Sequence, residues 1–304
     1  MLEGVFPMLP TPFNSEKNIV FDDISALIES QIAMGAHGIS ALGLGGESSL
    51  LSYDERIEVT EFILKEVGSR LPLVVGVGAS TTEDSCKLAE HAALTGATAI
   101  MLAPRPVNSQ TKSDLIEYFT EVSIAARDID VMLQDAPAYL GIDVEPELMR
   151  ELSDKIENIN YIKSEKPPVS NTIFDLKNTF NKRKIGLFGG QAAVGFFELL
   201  ESGGTGTIPG CEATSILIRI WDEFKIKKNE KKALEIFEKV LPFFVFEMQS
   251  LNMFIKCTKM VLFRKGIISS DETRVVQELS PTAQSIFDRH YDKLTKIETE
   301  INRS

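Results

Sequence analysis

Tyr161-Ile162-Lys163-Ser164-Glu165-Lys166 is a short β-type run with a lysine inside it. Helix-like sequence lies on both sides, over residues 145–156 and 171–180. Strands flanked by helices belong to parallel sheets, which are covered on both faces and hold few charges. Lys163 departs from that rule. In such a place burial disfavours the ammonium, so the free amine that attacks a carbonyl becomes more available. That is the chemistry of a Schiff-base enzyme. The plainer alternative is that Lys163 reaches the strand end or pairs with Glu165, since ion-paired lysines also sit in such places.

Working outward, the chain alternates short apolar runs with longer amphipathic ones. The sequence predicts eight strands, over residues 4–9, 38–44, 72–77, 99–103, 131–134, 161–165, 185–188 and 204–208. Between them, apolar residues at three- and four-residue steps predict helices over 21–34, 53–67, 82–94, 112–126, 145–156, 171–180 and 191–201. Ser52 and Thr81 precede acidic first turns, and Gly35, Gly96 and Gly203 follow helix ends. Eight strand–helix units predict a (β/α)8 TIM barrel. An open doubly wound sheet needs fewer repeats and a GxGxxG turn after the first strand, which is absent. A helix over 213–225 closes the barrel region, residues 1–225. The remainder, 226–304, is read as a C-terminal helical appendage with helices over 229–249, 253–265, 271–279 and 283–301.

Composition narrows the function classes. The 304 residues are 43% hydrophobic and 25% charged, with a formal net charge of −12. An acidic chain of this kind argues against nucleic acid, whose phosphates need a basic face. Three scattered cysteines and three scattered histidines build neither a disulfide framework nor a zinc motif, so no metal is expected. No run reaches transmembrane length, and Met1-Leu2-Glu3-Gly4 opens no signal peptide, so the expectation is a cytoplasmic protein without a membrane partner.

In such a barrel, chemistry gathers at the carboxyl ends of the strands. Pro10-Thr11-Pro12-Phe13 follows the first, Gly43-Leu44-Gly45-Gly46-Glu47-Ser48 the second, and Pro104-Arg105-Pro106-Val107-Asn108 the fourth. The fifth ends in Gln134-Asp135-Ala136-Pro137, the seventh in Gly189-Gly190-Gln191, and the eighth in Ile208-Pro209-Gly210. Glycines at 43, 45 and 46 either let backbone amides approach a carboxylate or serve a tight turn. Asp135 either faces the site or caps the next turn.

The order Pro10-Thr11-Pro12-Phe13, Gly43-x-x-Gly46-Glu47, Asp135-x-Pro137, Ile162-Lys163 and Gly203-x-x-Gly206-x-Ile208 resembles the dihydrodipicolinate synthase and N-acetylneuraminate lyase family of class I, lysine-dependent aldolases. The resemblance spans nearly the whole chain. It implies that Lys163 forms a Schiff base with a 2-oxo acid, with no other cofactor, in a homotetramer or dimer. It also implies substrate contacts from Gly45, Gly46, Glu47, Ser48, Gln134, Gly189 and Ile208.

The departures carry as much information. Where the family shows GTTGE or GSTGE, Leu44 and Gly45 replace the two hydroxyl residues, leaving backbone amides around 45–48 for a carboxylate. The family's YNxP becomes Gln134-Asp135-Ala136-Pro137, and a glutamine cannot shuttle a proton. Tyr139 stands where dihydrodipicolinate synthases carry an arginine. Glu165, Tyr139, Asp135 and Glu47 are then the candidate acid/base groups, with Glu165 or Tyr139 favoured. These changes resemble members acting on 2-keto-3-deoxy sugar acids. The expectation is a dehydratase or retro-aldolase of a short 2-oxo acid. The competing expectations are a barrel that binds such an acid without turnover, as a sensor, and a true dihydrodipicolinate synthase, which the missing relay disfavours.

Overall fold

The computed structural model describes residues 1–105 and 110–303. Pro106, Val107 and Asn108, expected after the fourth strand, lie outside the described residues. The strands are β1 (Gly4–Val5), β2 (Ile39–Ala41), β3 (Leu73–Gly76), β4 (Ala99–Leu102), β5 (Asp130–Asp135), β6 (Ile159–Ser164), β7 (Gly186–Gly189) and β8 (Gly206–Thr207). All neighbours pair in parallel, in the order β1-β8-β7-β6-β5-β4-β3-β2. A parallel bridge between Met8 and Ser40 joins the two ends of that order. The fold is the (β/α)8 barrel that the eight units predicted, with the first, second and eighth strands shorter than expected.

Helices follow the strands: α1 (Phe21–Ala33), α2 (Tyr53–Val67), α3 (Thr82–Thr95), α4 (Lys112–Ala125), α5 (Pro137–Leu140), α6 (Pro146–Lys155), α7 (Val169–Thr179), α8 (Phe196–Glu201) and α9 (Thr214–Trp221). Their starts have local causes. The Ser52 hydroxyl accepts from the Glu55 N–H while the Glu55 carboxylate accepts from the Ser52 N–H, a capping box that satisfies two otherwise free donors at the start of α2. Thr111 and Asp114 do the same for α4.

Strand alternation sorts the side chains. Phe6, Met8, Val74, Ala99, Met101, Met132, Tyr161, Phe188 and Ile208 form a buried cluster inside the barrel. Val75, Leu133, Ile162 and Leu187 point outward into the larger core beneath the helices. On β6 the inward series continues from Tyr161 to Lys163, because alternate strand residues share a face. Inside the barrel, Tyr161 and Phe6 meet Phe188 edge-on with ring centres 6.0 Å and 5.5 Å away. These rings fill the lower barrel, so the free space lies above them.

The tail holds α10 (Glu230–Glu247), α11 (Leu251–Arg264) and α12 (Pro281–Arg303). Helix α10 packs on α8, α9 and α12, and α11 reaches the turn Leu44–Gly46. The helix predicted over 271–279 does not form. Glu272 instead bridges Phe13, Arg274 N–H donates to Glu47 at 2.8 Å, and the Arg274 guanidinium holds Glu55 at 2.7 Å. Tertiary partners outbid the helical pattern in this stretch, where Thr273, Val275 and Val276 are β-branched and lower its helix propensity. The helix expected over 191–201 is also shortened: Gln191–Ala193 forms a left-handed turn and α8 begins only at Phe196. Among the described residues, no helix is long and apolar enough to cross a membrane.

Candidate active site

At the carboxyl ends of the strands the barrel opens on a narrow cavity of about 30 Å³. Its polar side is built from β6 and the turns after β5 and β7. Lys163 Nζ donates to Glu165 Oε1 at 2.5 Å, and both side chains are buried. Glu165 lies one residue past β6, yet its N–H bonds the Asp135 carbonyl at 2.8 Å and so keeps the strand register. It therefore shares the inward face with Lys163. The same carboxylate accepts from Gln134 Nε2 at 2.6 Å and from the Gln191 N–H at 3.3 Å. Burying two charges is tolerable only when they are paired and their remaining hydrogen-bonding capacity is filled, and these donors fill it.

Two local features hold Glu165 there. A Cβ at Gly190 would lie 2.7 Å from Glu165 Cδ and 2.9 Å from Lys163 Cε, so only glycine leaves room for the pair. Next, Gln191, Ala192 and Ala193 have φ of +52°, +48° and +65°. For residues with a Cβ such a backbone costs roughly 1–2 kcal/mol each. The turn keeps the Gln191 N–H on Glu165 and its side chain near Tyr139. Burial pushes Tyr139 up to about 12, and the nearby Glu165 charge acts in the same sense against the bond from Gln191. The phenol therefore keeps its proton across the neutral range.

The expected site residues divide into two groups. Lys163, Glu165, Tyr139, Gly45 and Ile208 line the cavity, and Gln134 stands behind Glu165. The others lie elsewhere. Asp135 alternates to the outer face of β5, where its Oδ1 accepts from the Val144 N–H at 3.3 Å, so it caps the following turn. Burial raises it to about 6. Glu47 is turned beneath its loop, bonded to buried Lys259 and to the Arg274 N–H. The Gly46 carbonyl accepts from Thr11, and Ser48 lines a separate surface groove with Arg56 and Gly78. Gly189 faces Leu199 on the outer side, and its neighbour Gly190 is the glycine that meets the lysine. Gly45 has a packing reason too, since a Cβ there would lie 2.9 Å from the Phe254 ring.

Sequence reading missed the other side of the cavity. Met248, Leu251 and Phe254 reach it from the tail, together with Met8, Leu44, Ala192 and Pro209. Leu44 and Pro209 stood at strand ends in the sequence, but nothing local marks Leu251 and Phe254, because an apolar residue on a helix reads as core. Gln191 was visible only as a polar residue after the seventh strand. Among the described residues, no group of three His, Cys, Asp or Glu side chains is placed to hold a metal ion.

Comparison with known proteins bears on the fold and the family. The family model described as "Dihydrodipicolinate synthetase family" matches residues 1–285. A 4-hydroxy-tetrahydrodipicolinate synthase from Methanospirillum hungatei is 34% identical over 50% of this chain and 53% of its own length. One from Rhizobium meliloti is 28% identical over 80% of this chain and 81% of its own. The chain thus spans about half the length of the first of these relatives. The dihydrodipicolinate synthase structure from Rhodopseudomonas palustris superposes with a TM-score of 0.88 at 25% identity, covering 96% of this chain and 97% of that one. With the barrel, the lysine on its sixth strand and a family match over nearly all its length, the chain belongs to the dihydrodipicolinate synthetase family.

Proposed function

We propose that the chain is a Schiff-base-forming lyase of a short 2-oxo acid, acting as a dehydratase or retro-aldolase on a 2-keto-3-deoxy acid of the sugar-acid type. The observation that carries this reading is the buried contact of Lys163 with Glu165 at the wall of the cavity, with Tyr139 beside it.

The steps follow from those groups. Glu165 takes a proton from Lys163, and the free amine attacks the C2 carbonyl of the substrate. Glu165 and the attacking nitrogen give their protons to the carbonyl oxygen, which leaves as water, so Glu165 is a base again and the iminium draws electrons from C3. Glu165 then removes a C3 proton, and the C4 hydroxyl departs as water once protonated by Tyr139 or by the acid form of Glu165. In the alternative cleavage, a base takes the C4 hydroxyl proton, the C3–C4 bond breaks with its electron pair left on C3 and an aldehyde released, and the protonated base returns that proton to C3. Water returns the keto acid and frees Lys163 in both cases. No cofactor beyond the lysine is required.

Tyr139 in the place of an arginine, and Leu44 and Gly45 in the place of two hydroxyl residues, count against a dihydrodipicolinate synthase despite the names of the relatives. The same replacements favour a second reading, a barrel that binds a 2-oxo acid as a sensor without turning it over. Family likeness supports a homotetramer or dimer, and we place the protein in the cytoplasm.

Borohydride trapping separates the readings. Pyruvate and a panel of 2-keto-3-deoxy acids are offered, and the intact mass and the modified peptide are read. An adduct on Lys163 with turnover of one of the acids supports the lyase, and an adduct without turnover supports the sensor. No adduct with any acid, with ligand binding unchanged in Lys163→Ala, overturns the lyase and leaves a degenerate barrel.

A further inference from the structure

We infer that the substrate carries one hydroxyl, at C4, and ends in an apolar group, because apart from the groups around Lys163 the described lining of the cavity is carbon, with Met248, Leu251 and Phe254 supplied by the C-terminal segment. This rests on the Schiff-base reading above and narrows its substrate from a sugar acid to a less hydroxylated 2-oxo acid.

The cavity is divided. Its polar groups are Lys163, Glu165, Tyr139 and Gln191, with Glu165 bonded to both the Lys163 ammonium and the Gln191 N–H. A carbonyl at C2 bound to Lys163 sets C3 and C4 beside this group, so a C4 hydroxyl finds Tyr139 or Glu165. Beyond it, the described lining is apolar: Met8, Leu44, Ile208, Met248, Leu251 and Phe254.

Phe254 forms the centre of that wall. Its ring lies against Gly45, occupying the space that a side chain at that position would take. Ala192, Ile255, Met248 and Leu251 pack around it as a small cluster separate from the main core. Ser250 fixes the start of α11 by accepting from the Met253 N–H at 3.1 Å, which sets the direction in which Leu251 and Phe254 point. A second hydroxyl at C5 would be pressed against these carbons and lose its water without gaining a partner. A methyl group there fills the same space without that loss.

The inference is tested with a matched pair. 4-Hydroxy-2-oxopentanoate and 4,5-dihydroxy-2-oxopentanoate differ only in the C5 hydroxyl, and kcat/KM is measured for each. The longer pair, 4-hydroxy-2-oxohexanoate and the corresponding 3-deoxyhexulosonate, repeats the comparison. A preference of at least about tenfold for the monohydroxy acid is expected, within the range that an apolar pocket gives against an added hydroxyl. Phe254→Asn is expected to shrink that ratio severalfold, with Met248→Gln as a second variant if the first fails to fold. Equal rates, or a preference for the dihydroxy acid, overturn the apolar wall while a pyruvate adduct on Lys163 leaves the lyase standing. Absence of any adduct overturns the lyase and this inference with it.

Discussion

Lys163 Nζ and Glu165 Oε1 are 2.5 Å apart although the two residues are separated by one position on the strand, because alternate strand residues share a face and Gly190 leaves the space above them empty. The carboxylate is thus tied to the amine before any substrate arrives. If Glu165 moves protons for the lysine, Glu165→Gln keeps the hydrogen-bonding shape and loses the proton transfer. We expect kcat to fall by roughly 10²–10⁴-fold, the usual range for general acid–base groups, while pyruvate still forms some trappable adduct on Lys163. Lys163→Ala abolishes the adduct entirely. Rapid-quench turnover with mass spectrometry reads both, and a kcat within fivefold of the parent in Glu165→Gln removes Glu165 from the mechanism.

Tyr139 tests the other proton site. Held up to about 12 by burial and by the Glu165 charge, its phenol stays protonated well past neutral pH. An ultraviolet titration of the parent chain minus Tyr139→Phe is therefore expected to show one tyrosine ionising near the top of the accessible range. A tyrosine titrating near its ordinary value would mean that the hydroxyl is solvated and not buried beside Glu165. In turnover, Tyr139→Phe is expected to lower kcat more than tenfold if the phenol protonates the leaving hydroxyl, with the adduct on Lys163 preserved.

Gly190 is a positional requirement with a sharp signature. Its φ of −134° is not left-handed, and the nearest atoms that an added methyl meets belong to Glu165 and Lys163. Gly190→Ala is expected to leave the melting temperature within a few degrees and to lower kcat at least tenfold by turning Glu165 aside. Alanine at 189 makes the contrast, because its Cβ meets Leu199 in the outer core. That variant should lose stability before it loses chemistry. Equal effects of the two on kcat would sink the assignment of Gly190 to the site.

Much of this was legible in the sequence, for reasons that particular residues show. The barrel followed from the alternation of apolar runs, since a two-residue period and a 3.6-residue period need only local sequence. Lys163 stood out because charge in a covered strand is rare, and Glu165 because two residues along a strand return to the same face. Asp135 stayed ambiguous because a cap and a catalytic acid look alike in sequence, and only the bond from Val144 distinguishes them. Phe254 was hidden completely. It comes from 91 positions beyond Lys163 along a helix whose pattern suits a core, and its place against Gly45 is a tertiary fact. The strap at 271–275 was misread for the same reason, as its partners Phe13, Glu47 and Glu55 are more than 200 residues away.

Asp135 makes a pH-dependent prediction. Burial raises it from 3.8 to about 6, so the folded chain binds that proton more tightly than the unfolded one. Its contribution to stability is complete below 3.8 and is lost as the pH rises through 6, above which an ionised buried carboxylate is a burden. Asp135→Asn still accepts from the Val144 N–H and cannot ionise. Relative to the parent it is expected to gain about 1–3 kcal/mol between acid and neutral pH. Urea denaturation near pH 4 and near pH 7 measures this, and a difference that does not change with pH refutes it.

The pair below the loop at residues 43–48 gives the last test. Lys259 and Glu47 are bonded with side chains 0% and 2% exposed, and the Phe13 ring lies 4.5 Å from both the Lys259 ammonium and the Arg274 guanidinium. Burial lowers Lys259 to about 8, against the pull of Glu47. Glu47→Gln strands the ammonium, and removing one partner of a buried pair costs about 3–5 kcal/mol. The penalty should be greatest below pH 8, where the folded parent carries the charged lysine, and should shrink above it as that proton leaves. Lys259→Met combined with Glu47→Gln is expected to be less damaging than the two single changes summed, because no unpaired charge remains. The cavity should respond as well: Glu47 anchors the loop that carries Leu44 and Gly45, so Glu47→Gln is expected to raise KM for the substrate while pyruvate still traps on Lys163. A denaturant cycle with additive energies would show that Lys259 and Glu47 do not act as a pair, and that the loop is held by the Arg274 strap instead.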